Sequence, residues 1–115
     1  MKINTFHKKY KRIGPHGHCH APYVVCKDGF TVSIQASDTH YCSPRKIVDL
    51  YREMELGYPS DEEELIMPYC EDESKPCNTV YGFVPVKIIN EMLEKHGGID
   101  IDATLEERSI VYGNV

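Results

Sequence analysis

Phe30, Val32 and Ile34 alternate with Thr31, Ser33 and Gln35, the period-two pattern of a strand with one face buried. A second β-branched run, Pro22-Tyr23-Val24-Val25-Cys26, precedes it across Lys27-Asp28-Gly29. An Asp-Gly step between two such runs predicts a β-hairpin. Residues 36–46 then read as a polar loop leaving the end of the second strand. Residues 47–56 fit two periods: Ile47, Leu50/Tyr51 and Met54 recur at helical spacing, while Val48, Leu50, Met54 and Leu56 alternate. The expectation is a strand over Tyr51–Leu56.

Residues 57–78 hold Gly57, Pro59, Pro68 and Pro76 and predict an excursion with at most a helical turn at Asp61–Leu65. Thr79–Val84 reads as a further strand, followed by the clearest helix of the chain. Pro85 suits its first turn, Val86, Ile89 and Leu93 make an apolar stripe, Lys95 and His96 suit its negative end, and Gly97-Gly98 stops it. The tail from Ile99 predicts a short helix at Thr104–Arg108 and a last strand at Ser109–Tyr112. Residues 1–14 read as a basic flexible arm punctuated by Gly14-Pro15, with residues 15–115 forming a single domain. The expected fold class is α+β: a small antiparallel sheet of about four or five strands with one main helix packed on one face.

The chain has 115 residues, 41% hydrophobic and 27% charged, enough for one soluble domain and a single thin core. No apolar run approaches membrane-spanning length and no signal-peptide stretch follows Met1, so a cytoplasmic location is expected. Five cysteines (Cys19, Cys26, Cys42, Cys70, Cys77) without a CxxC predict reduced thiols and argue against a zinc ribbon. Residues 1–52 carry nine Lys and Arg against three acids, a net of +6, while residues 53–115 carry four against fifteen, a net of −11. The basic half suits an anion, and the acidic half repels a long nucleic acid.

Two clusters offer chemistry. In an extended chain His16, His18 and His20 share a face and present three imidazoles to one ion, zinc for example; exposed or hydrogen-bonded histidines are the plainer alternative. In the 36–46 loop, Ser37, Thr39 and Ser43 offer hydroxyls, Tyr41 a stacking face, His40 a donor, and Arg45 with Lys46 a phosphate grip. The alternative there is a capped loop whose Arg45 pairs with acidic residues. Cys19 with His18 or His20 is a poor nucleophile pair, since adjacent residues of extended chain point apart, and Cys42 with His40 is a poor one because a catalytic pair usually meets across the fold. No phosphate-binding GxxxxGK[ST] or dinucleotide GxGxxG is present.

Five strings, His18-Cys19-His20-Ala21-Pro22, Ser33-Ile34-Gln35-Ala36-Ser37, His40-Tyr41-Cys42-Ser43-Pro44-Arg45, Val80-Tyr81-Gly82-Phe83-Val84-Pro85-Val86 and Glu94-Lys95-His96-Gly97-Gly98, together resemble a family of small, functionally unassigned proteins of tailed bacteriophages and prophages. The resemblance implies an accessory protein that counters host defence by binding a defence protein or a nucleotide signal, working in the host cytoplasm; it implies no particular site residue. The expected function is sequestration, without catalysis or cofactor, of an anionic cyclic dinucleotide or cyclic ADP-ribose derivative. Arg45 and Lys46 would hold phosphate, Tyr41 or Tyr81 would stack on a base, and His40, Ser37 and Ser43 would add hydrogen bonds, in a homo-oligomer that closes the pocket. Two alternatives stand beside it: an anti-CRISPR-type inhibitor that presents Asp61–Glu73 to a host protein, and a phosphoesterase with metal on His16, His18 and His20.

Overall fold

The computed structural model describes residues 1–112, with side chains described for residues 1–106. The elements are α1 (Ile3–Tyr10), β1 (Arg12–Ile13), β2 (Cys19–His20), β3 (Val24–Val25), β4 (Thr31–Gln35), β5 (Glu53–Gly57), β6 (Val80–Pro85), α2 (Val86–Lys95) and α3 (Ile101–Tyr112). Strands β3-β4-β5-β6 form an antiparallel sheet in that order, and β1 pairs with β2 in a small ribbon. This is an α+β fold.

The hairpin forms as the Asp-Gly step predicts, with Val24 opposite Val32 and Val25 opposite Thr31. Gly29 takes a φ of 96°, and Asp28 closes the turn by accepting the Phe30 N–H at 2.9 Å. Val32 and Ile34 of β4 and Met54 and Leu56 of β5 are fully buried on one face. Gln35 turns its amide onto Ala21, accepting its N–H at 2.7 Å and donating to its carbonyl at 2.9 Å, and so ties the chain after β2 to the sheet.

Both N- and C-terminal expectations need correction. The basic arm is no flexible arm over residues 3–10: it forms α1, with Ile3 and Phe6 buried in the core. Asn4 exchanges hydrogen bonds with the Tyr51 backbone at 2.9 and 3.0 Å, and Asn90 of α2 accepts the Ile3 N–H at 2.9 Å. Lysines on the outer face dilute the pattern, but Ile3, Phe6, His7 and Tyr10 keep helical spacing inward. At the other end a continuous helix replaces the expected short helix and strand at 109–112. Asp100 starts it, accepting the Ala103 N–H at 3.0 Å in the manner of an N-cap. Thr104 then covers the β3 edge, accepting the Val25 N–H at 2.9 Å.

Strand β5 begins at Glu53 because Tyr51, expected as its first residue, instead anchors the preceding loop, its hydroxyl donating to the Lys46 carbonyl at 2.6 Å. The helical turn of the excursion lies at Met67–Tyr69, not 61–65, and Ile66 beside it enters the core. No helix among the described residues is long and apolar enough to cross a membrane.

Candidate functional site

The 36–46 loop is fastened to the sheet. Ser43 bridges to Glu53, its N–H donating to the Glu53 carbonyl at 3.1 Å, and the Tyr41 N–H donates to the Glu55 carboxylate at 3.1 Å. Cys42 is buried beneath, its thiol donating to the Ser37 carbonyl at 3.1 Å. Burial raises the pKa of that thiol, against the opposing pull of its hydrogen bond to Ser37 and of Arg45.

A β-bulge lies beside this loop. Met54 faces Val84 and Leu56 faces Tyr81, so Gly82 and Phe83 of β6 oppose Glu55 alone. The extra residue puts Phe83 at a φ of 53°, where a bulky side chain is strained, and turns its ring outward, 45% exposed. The Phe83 N–H donates to the Tyr41 carbonyl at 2.9 Å. Gly82 permits the approach, since a Cβ there would stand 3.3 Å from the Tyr41 Cβ. Tyr41, 42% exposed, lies with its ring centroid 6.0 Å from that of Phe83, and the Arg45 guanidinium sits 5.4 Å from the Tyr41 centroid. Two exposed aromatic rings and a cation therefore share one surface.

The other loop residues fall into distinct roles. Ser37 is fully buried, its hydroxyl 2.6 Å from His40 Nδ1 and 3.1 Å from Thr39 Oγ1, so it orients His40 and does not face solvent. Burial lowers the His40 pKa against the opposing pull of Glu55 and Asp38, favouring a neutral ring. The Ser43 hydroxyl accepts from Arg52 at 3.1 Å, and Lys46 is exposed. Tyr81 is excluded as a stacking residue: it is fully buried and its hydroxyl donates to the Pro76 carbonyl at 2.6 Å.

The three histidines of the proposed metal strand do not line one extended face. Pro15–Gly17 is a short 3-10 turn in which His16 has a φ of 66°, breaking the alternation that the expectation required. Only His20 of the three lies in a strand. Among the described residues no group of three His, Cys, Asp or Glu side chains is placed to hold a metal ion.

A second cluster escaped the sequence reading. His96, just beyond α2, places Nδ1 2.6 Å from Asp28 Oδ2 and Nε2 2.7 Å from Glu63 Oε1, with its ring stacked on Phe30 at 4.1 Å. Glu63, from the acidic run 61–64, is buried and also accepts from Lys95 at 3.0 Å and from the Leu65 N–H at 2.9 Å. Burial would raise the Glu63 pKa, but the Leu65 N–H, His96 and Lys95 outweigh it and hold the carboxyl low. With both ring nitrogens on carboxylates, His96 joins the β3–β4 turn to Glu63. The only sequence signals were Asp28 in its turn and a histidine at a helix end, 68 residues apart. The chain matches no protein-family model, no curated protein and no solved structure.

Proposed function

We propose that the surface formed by Tyr41, Phe83 and Arg45 binds an anionic nucleotide and that the protein is a phage accessory protein sequestering a cyclic dinucleotide or cyclic ADP-ribose type of immune signal in the host cytoplasm. The observation that carries the reading is Phe83, held at positive φ by a bulge so that its ring lies in solvent beside Tyr41. Strain kept at a half-exposed aromatic suits a binding surface, since such outliers cluster at binding sites. A base stacks on the two rings, Arg45 and Lys46 take phosphate oxygens, and the His40 ring, oriented by Ser37, adds a hydrogen bond. The surface is open, so a second copy completes the enclosure and the working form is a homo-oligomer.

Calorimetric titration with a panel of cyclic dinucleotides and cyclic ADP-ribose tests this. At least one nucleotide should bind saturably, and Arg45→Ala should abolish that binding while leaving the melting temperature nearly unchanged, because Arg45 is exposed. Unchanged affinity in Arg45→Ala would remove the loop from the site.

A further inference from the structure

Asp28, His96, Glu63 and Lys95 line a cleft of about 340 Å³ between the β3–β4 turn and residues 60–63. Both carboxylates face an imidazole nitrogen at hydrogen-bond distance, and only the imidazolium can donate to both. The two sides are unequal. The Glu63 side chain is 1% exposed and has two further donors, whereas the Asp28 side chain is 48% exposed.

We propose that Asp28, His96 and Glu63 form a proton-operated latch across this cleft, in which loss of the His96 proton releases the Asp28 carboxylate and leaves Glu63 bound. A neutral ring keeps one N–H. Retaining it on Nε2 spares the buried Glu63 a lost donor, which costs far more than returning a half-exposed Asp28 to water. The Nδ1 lone pair then faces Asp28 Oδ2, and the carboxylate swings out. Every charged group around the ring enters the balance: Asp28 from the turn, Glu63, Asp61 and Glu62 from the excursion favour the proton, and Lys95 from α2 opposes it. Burial alone would lower the His96 pKa, but hydrogen bonds and charge from Asp28 and Glu63 outweigh it and raise the pKa above the ordinary value. Asp28 Oδ1 also accepts the Phe30 N–H at 2.9 Å, so its release is felt at that amide. The cleft thereby gains a free carboxylate and opens as pH rises.

Nuclear magnetic resonance of the full chain reads the latch directly. The His96 ring should titrate above 6.5, the ordinary value, and become the Nε2–H tautomer. The Asp28 carboxyl carbon and the Phe30 amide should shift with the same midpoint, while the Leu65 amide, bonded to Glu63, stays in place. Asp28→Asn keeps an acceptor for Phe30 and offers an N–H to a neutral ring, so it should lower the His96 midpoint. A wild-type midpoint at or below 6.5 overturns the proposal. So does a Leu65 amide that moves while Phe30 does not, or an Asp28→Asn variant whose His96 midpoint is unchanged.

Discussion

Phe83 adopts a φ of 53° that a glycine would take at no steric cost, and its side chain stays half-exposed. Phe83→Gly should therefore melt within a few degrees of the wild type, or above it, while nucleotide binding is lost. A variant that melts far below wild type would make the ring a packing residue. His7 is the opposite case, a polar group deep in the fold. Its Nε2 has no hydrogen-bond partner among the described residues, its ring meets Tyr51 edge-on at 5.5 Å, and burial, helped by Lys11 and His40, lowers its pKa to about 4. An imidazole that is neutral when folded and titrates near 6.5 when unfolded leaves the unfolded chain binding the extra proton between those values. The fold should lose stability as pH falls from 6.5 toward 4, by an amount on the order of 3 kcal/mol across the window. Urea denaturation at pH 7 and pH 5 checks this, and His7→Phe should flatten the difference. An equal midpoint shift in His7→Phe would place the acid sensitivity elsewhere.

At the scale of elements, α1 and the β3–β4 hairpin both contribute to the core. Phe6 is fully buried on α1, so Phe6→Ala should cost roughly 3–5 kcal/mol in chemical denaturation. A loss below about 1 kcal/mol would mean that the helix is dispensable. Val32→Asp puts an unpaired charge on the inner face of β4 and should prevent folding, as read by circular dichroism. The hairpin, β6 and α2 were legible because each carries its own punctuation: Asp28-Gly29, the alternation of Phe30–Gln35, and Pro85 with Gly97-Gly98. The first helix was obscured because Lys8, Lys9 and Lys11 outweigh four inward residues in a short segment whose stability comes from docking. The tail was misread because the Asp100 cap is a single residue, and alternation across 109–112 is too short to exclude a helix.

For the whole molecule, the opposed charges of the two halves do little pairing with each other among the described residues. Among the described residues the ion pairs spanning both halves reduce to His96 with Asp28; Lys95 and Glu63 belong to one half, Lys8 and Asp49 to the other. Proton linkage is split in the same way. His7 withdraws stability on the acid side, while His96, whose folded pKa is raised, contributes fully below 6.5 and ceases to contribute as pH rises through its folded value. The site was half legible: Tyr41, Arg45 and His40 were visible as residue types in a loop, whereas Phe83 joined them only through a bulge, a register event that no single-strand pattern records. Tyr81, expected to stack on a base, faces inward because the inserted residue between it and Val84 turns both side chains to the core. The proposed role requires that surface to hold a nucleotide without altering it. Native mass spectrometry of the protein mixed with cyclic dinucleotides and cyclic ADP-ribose tests it most directly: the prediction is a dimer or larger assembly carrying one of these nucleotides, whose mass is unaltered after heat release. A bare chain across the whole panel, or a hydrolysed nucleotide that accumulates with time, would contradict it.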